Sequence, residues 1–302
     1  MPQKSKSCYT LERVSIPHSQ EITDHVDAVY IIYLKGNETR LQNIYKQLES
    51  FYICKTVYIL HNHGMKCDKG IPTNIPPLDI VDCYYTCFED ASEKNYENIL
   101  IFEDDFILAE CMKTVTSTNF HMNTIMQFMN ERQESPVSYR IGSLPLLLLP
   151  VSVDFHHYSG IMLGTHAVVY NKSFRTHLLK HIPQTTIKDW DMHCNLQSES
   201  FTYHTSLCYQ LFPQTENSKH WGAGYQLDIL APLGLMLLSW VGLDKKCEPG
   251  FTIFYLFSKT ILALFLIGIF LLVYVLQIIF HKKVSKTNKI IGTNTKYVSN
   301  NT

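Results

Sequence analysis

Over its first hundred positions the chain alternates short apolar runs with amphipathic stretches. Residues 26–34 form a β-branched and aromatic run of the kind a doubly buried strand requires. Lys35-Gly36-Asn37 supplies turn chemistry, and Leu41, Ile44, Tyr45 and Leu48 then recur at helical spacing across 40–51. Residues 56–60 read as a second strand, closed by the loop His61-Asn62-His63-Gly64. The Pro-rich stretch 71–79 is incompatible with regular helix, a helix is expected over 81–95, and 98–102 reads as a third apolar strand. This alternation predicts an α/β fold with parallel strands, whose ligands bind beyond the carboxyl ends of those strands. Further along, 114–136 shows no clear period and reads as a mobile stretch, whereas 144–153 and 161–170 read as another strand pair. Residues 1–25 read as a flexible leader.

The C-terminal part changes character. Residues 251–280 are almost uninterruptedly apolar, with Lys259 as their only charge, and 261–280 alone supply the roughly 20 residues a bilayer requires. A transmembrane helix is therefore expected at 251–281, followed by a basic polar tail at 282–302. Upstream, 229–243 is apolar but broken by Pro232 and Gly234 and is short for a span. The segment 223–250 is expected to be interfacial or re-entrant.

Composition narrows the classes. With 46% hydrophobic and 18% charged residues the chain can build a core, which excludes wholesale disorder. A net charge of -1 speaks against a nucleic-acid binder acting through bulk charge. The nine cysteines show no paired CxxC spacing and are expected to be reduced, partly buried thiols of a domain facing the cytosol. Residues 1–10 are polar and lack the apolar core of a secretory signal, which points the same way. Lys282, Lys283, Lys286 and Lys289 place the tail in the cytosol as well. A hairpin using 229–243 as a partial first pass reconciles the two; a tail-anchored single span is the alternative, because Lys245, Lys246 and Lys259 precede the apolar run. Asn37-Glu38-Thr39, Asn171-Lys172-Ser173 and Asn300-Asn301-Thr302 match the N-glycosylation triplet, which matters only in a lumen.

The chemistry concentrates at Glu103-Asp104-Asp105, where an apolar strand delivers three consecutive carboxylates at its carboxyl end. Such like charges are costly unless solvent or a cation relieves them, and a hard divalent cation bridging a pyrophosphate does so with oxygen ligands. In that reading Asp105 and Glu103 are the metal residues, with Glu103 turned towards a ribose or a metal-bound water; the bland reading is an acidic, solvated turn. Asp189 is suited to cap a helix, which makes an acidic helix N-terminus one reading of Asp189-Trp190-Asp191. His166 would meet a diphosphate or sit as a hydrogen-bonded core histidine. Lys219, in the polar loop 210–221, would meet phosphate or belong to a plain surface loop, and Arg40 would contact a nucleotide or sit solvated on its helix.

Four stretches together resemble glycosyltransferase family 25, the group of lipooligosaccharide and collagen galactosyltransferases, and related glycosyltransferases of large DNA viruses. They are Tyr30-Ile31-Ile32-Tyr33-Leu34 with Arg40, Ile101-Phe102-Glu103-Asp104-Asp105, the strand from Gly164-Thr165-His166-Ala167 to Tyr170, and Asp189-Trp190-Asp191. The resemblance covers 26–221 and departs from the family pattern at Tyr33, where an Asn is usual, and at Arg40, which stands alone where the family has paired arginines. It implies a GT-A fold over 26–222, a Rossmann-like mixed sheet with helices on both faces. It further implies Mn²⁺ or Mg²⁺, a nucleotide-sugar donor (a UDP-sugar favoured), a glycan, lipid or protein acceptor at a membrane, and inversion at the anomeric carbon, for which a carboxylate base is needed: Asp191, slightly ahead of Asp189. Arg40, Glu103, Asp104, His166 and Lys219 would then serve the donor. A catalytically inactive membrane-bound module of the same fold is the alternative, and a metal-dependent phosphodiesterase or nucleotidyl transferase is a third class.

Overall fold

The computed structural model describes residues 8–64, 67–69, 76–151, 155–197, 199–212 and 230–298. In chain order its elements are β1 (Tyr9–Val14), β2 (Ala28–Leu34), α1 (Glu38–Leu48), β3 (Val57–Asn62), α2 (Pro76–Glu93), β4 (Asn98–Glu103), β5 (Phe106–Leu108) and α3 (Val115–Asn130). Then follow β6 (Val137–Pro150), β7 (His156–Asn171), α4 (Lys172–His181), α5 (Trp190–Gln197), β8 (Glu199–Tyr203), β9 (Cys208–Gln210), α6 (Leu230–Trp240) and α7 (Gly250–Val298). Two compact units result, Met1–Ser258 and Lys259–Thr302.

The first unit is α/β, built on a mixed sheet of order β1-β3-β2-β4-β7-β6-β8. At its centre β2 is parallel to β3 on one side and to β4 on the other, while β7 pairs antiparallel with β4. The first six residues of β2 are buried, as a strand covered on both faces must be. Val29, Ile31 and Tyr33 pack with Ile44 and Leu48 of α1 and with Met122, Ile125 and Met129 of α3. The alternate residues Ala28, Tyr30 and Ile32 pack with Tyr84 and Phe88 of α2, Phe174 of α4 and Trp190 of α5. The chain leaves β2 towards β3 but leaves β4 towards the opposite side of the sheet. The carboxyl ends of β2 and β4 therefore form a topological switch point, where open α/β sheets bind ligands.

Several elements differ from what the pattern predicts. The leader contains β1, paired antiparallel along the edge of β3. Its charged Glu12 and Arg13 suit an edge strand and leave little periodic signal. Helix α2 starts at Pro76, inside the Pro-rich stretch, because the first turn of a helix needs no N–H from proline. The stretch read as mobile holds α3: its Thr, Asn and Gln content gives weak propensity, but Thr118, Met122, Ile125 and Met129 form one buried face.

The expectation of reduced thiols fails at one pair. Cys8 and Cys67 form a disulfide that ties the start of β1 to the segment after β3, and the other seven cysteines are free. Disulfides persist in oxidising surroundings, so this bond removes the thiol argument for a cytosolic domain.

The second unit is the remainder of α7. Gly250–Phe280 is apolar and long enough to cross a membrane, and from Ala263 to Phe280 its side chains face outward, with Phe265 at 63% and Phe270 at 71% exposure. Before Lys259, α7 belongs to the first unit, where Phe251 and Tyr255 are buried.

Closing a loop of 59 residues, the Cys8–Cys67 bond should stabilise the fold by about 2–4 kcal/mol. Cys8→Ser is expected to lower the unfolding free energy by that amount in denaturant titration. Without reductant, alkylation and mass mapping of the native protein should label Cys111 and Cys247, which are half-buried, and leave Cys8 and Cys67 unmodified.

Candidate active site

The three carboxylates sit where two sheets meet. Glu103 ends β4, Asp104 and Asp105 form a tight turn, and Phe106 opens β5, which pairs antiparallel with β9 in a separate two-stranded sheet. Helix α1 braces the turn from below. Asn43 donates to the carbonyl of Phe106 at 3.1 Å, and Gln47 accepts from the amide of Leu108 at 2.9 Å.

Each acid has a different environment. Asp104 is buried, accepts from the amide of Leu34 at 3.1 Å and pairs with Arg40 Nη1. It thereby ties the ends of β2 and β4 to the first turn of α1. Burial raises its pKa, and Arg40 pulls against that rise. Asp105 is half-buried, accepts from Gln210 Nε2 with both oxygens at 2.9 Å, and lies 3.3 Å from Arg40 Nη2. Burial also raises its pKa, opposed by Arg40 and Gln210. Burial works against the charge of Arg40, but Asp104 and Asp105 outweigh it, so the guanidinium is held firmly charged. Arg40 is thus partly exposed but not free: it compensates the acidic turn, and a nucleotide contact would have to be made beside that pairing.

Among the described residues no cation pairs with Glu103. Burial, followed by the charges of Asp105, Asp191 and Asp104, pushes its carboxyl up to about 8. Its Oε1 lies 3.3 Å from both the Thr165 hydroxyl and the Tyr84 hydroxyl. Tyr84 donates to the carbonyl of Thr165 at 3.0 Å.

Thr165 is aimed by an irregularity in β7. Gly142 of β6 pairs with Ala167, but Leu144 pairs with Leu163, so β7 carries extra residues at Gly164-Thr165-His166 and leaves the ladder there. Gly164 adopts φ +84°, open mainly to glycine, and its amide donates to Asp191 Oδ2 at 2.9 Å. Thr165 donates to Asp191 Oδ1 at 2.6 Å. Asp191 lies in the first turn of α5, a helix fixed by Trp190, which stacks on Tyr84 at 4.5 Å and donates to Tyr170 at 3.0 Å. The structure therefore brings Asp191 to Glu103 through one shared hydroxyl. Asp189 precedes α5 with its carbonyl accepting from the His193 amide, the position of a helix cap.

His166 is wholly buried, and its Nε2 donates to the carbonyl of Cys208 at 3.2 Å. Burial lowers its pKa to about 4, so the ring is neutral and offers no charge to a phosphate; its surroundings are those of the core histidine. A Cβ at Gly142 would come within 2.6 Å of the His166 ring, so a glycine there makes room for it. Lys219, with most of the loop 210–221, lies outside the described residues. Sequence reasoning missed Gln210 and the Thr165 hydroxyl. Thr165 stood inside a motif already singled out, whereas Gln210 acquires its role only when β9 pairs with β5.

Among the described residues no group of three or more His, Cys, Asp or Glu side chains is arranged to hold a metal ion. No protein-family model matches the chain, and comparison with curated proteins gives no match either.

His166 makes stability depend on pH. Its folded pKa lies below the ordinary value of about 6.5, so the unfolded chain binds the extra proton between the two. Its contribution is fully present above about pH 6.5 and is lost as pH falls towards 4, on the order of 3 kcal/mol in total. Denaturant titrations between pH 7 and pH 4.5 should show this slope, and it should flatten in His166→Gln.

Proposed function

We propose that the protein is a membrane-anchored glycosyltransferase that moves a sugar from a nucleotide-diphosphate donor to an acceptor hydroxyl. The observation that carries this reading is the placement of Glu103, Asp105 and Asp191 at the carboxyl ends of β2 and β4, with Asp191 joined to Glu103 through Thr165. An acidic turn at a switch point suits a cation-bridged diphosphate, and a separate, firmly held carboxylate suits proton removal from the acceptor.

The residues fit a divalent cation of the Mg²⁺ or Mn²⁺ kind. Even with Arg40 in place, burial and then the charges of Asp105, Asp191 and Asp104 hold Glu103 towards its neutral form, an environment that a cation would relieve. Such ions are commonly bound through one or two carboxylates completed by substrate phosphates, so a preformed three-ligand cage is not required. Asp105 and Glu103 would hold the ion, which would neutralise charge on the departing diphosphate. The chain's own residues do the rest. Asp104 and Arg40 fix the turn, Gln210 orients Asp105, and the Gly164 amide and Thr165 hydroxyl hold Asp191 so that an oxygen lone pair can take the acceptor proton. The order of a cation-bridged leaving group and a carboxylate base supports inversion at the anomeric carbon.

Titration of the full chain in detergent with UDP and Mn²⁺ tests this. Metal-dependent UDP binding is expected, and it should vanish in Asp105→Ala. Asp191→Asn should keep UDP binding and lose turnover by roughly 10²–10⁴-fold, the usual worth of a general base. Binding in the wild type with no turnover of any nucleotide-sugar would favour the inactive module, and absence of UDP binding would remove the transferase reading.

A further inference from the structure

The acidic corner is linked to the C-terminal helices through a short chain of contacts within the first unit. Gln210, which holds Asp105, ends β9, and two residues later Phe212 packs in one cluster with Leu144 of β6, Leu238 of α6, Leu243 of the α6–α7 connection and Phe251 of α7. The Phe212 amide donates to the carbonyl of Leu243 at 2.9 Å, and the Tyr209 ring lies 5.0 Å from that of Phe251. The β9 end, α6 and the root of α7 are thus one packed body.

Helix α6 is two-sided. Leu238 is buried in that cluster, whereas Met236 is 61%, Leu237 46% and Trp240 84% exposed. Full exposure of a tryptophan beside two large apolar residues is unfavourable in water but suits a bilayer interface, where an amphipathic ring is at home. What covers this side is indicated by the chain itself. The apolar run that can cross a membrane begins at Gly250, ten residues after Trp240, and at the root of α7 Ile253, Leu256 and Phe257 are exposed as well. From Phe251 to Lys259, the start of the second unit, eight residues reach at most about 28 Å even when fully extended.

We propose that Met236, Leu237 and Trp240 of α6 dock on the lipid surface of the membrane that α7 enters, holding the Asp105–Gln210 corner beside that surface. The lipid contact stands without the transferase reading. Resting on that reading, it also names the acceptor class: a hydroxyl compound carried by the same membrane, in preference to a free glycan in solution.

The full chain reconstituted in phosphatidylcholine vesicles tests the contact. Emission attributable to Trp240 is the difference between wild type and Trp240→Phe, a surface substitution that leaves the core intact. Lipids brominated near the headgroup end of their acyl chains should quench most of that emission, and aqueous iodide should quench little of it. Quenching by iodide and not by brominated lipid, or by neither, would overturn the proposal. UDP and Mn²⁺ binding in detergent is read separately, so the lipid contact and the transferase reading can fail independently.

Discussion

Three consecutive carboxylates at the end of a buried strand impose the constraint around which the first unit is organised. Taking even one carboxylate from water costs several kcal/mol unless hydrogen bonds or a cation replace the lost solvation. The fold meets this cost differently at each position. Asp104 gains the Leu34 amide and Arg40, Asp105 gains Gln210 and a share of Arg40, and Glu103 gains the hydroxyls of Thr165 and Tyr84. The first turn of α1, the register of β9 on β5 and the irregular stretch of β7 all serve these placements. Among the described residues, the fold pairs two of the acids with Arg40 and leaves the third beside hydroxyl groups.

The parts of this arrangement that were legible in the sequence are those set by local pattern. β2, β3 and β4 announce themselves through β-branched runs, because strands buried on both faces admit few other residues. Glu103 could be singled out because its carboxylate ends an apolar run, whereas Asp191 entered as a candidate through the resemblance that Asp189-Trp190-Asp191 carries. What escaped was set by tertiary packing. α3 is helical because a row of methionines and isoleucine is covered by the sheet, against the preference of its Thr and Asn residues. The Cys8–Cys67 bond depends on β1 lying along β3, and nothing in the spacing of nine cysteines distinguishes that pair. His166 carried a choice between ligand and core that only its burial against Cys208 could decide.

Within the first unit, β9 lies between the acidic turn and the root of α7. Its three residues pair with β5 beside the acidic turn, and the rings that flank its end pack on Phe251. The large sheet carries Glu103, and the small one sets Gln210 beside Asp105.

β1 has a practical consequence for any shortened version of the chain. Starting the polypeptide at residue 26, where the first strong apolar run begins, would strip the outer strand from β3 and bare its row of amide and carbonyl groups. An uncovered edge of that length recruits strands from neighbouring molecules, so such a fragment would tend to assemble with itself. The first polar segment, unremarkable in composition, is what lets the sheet end.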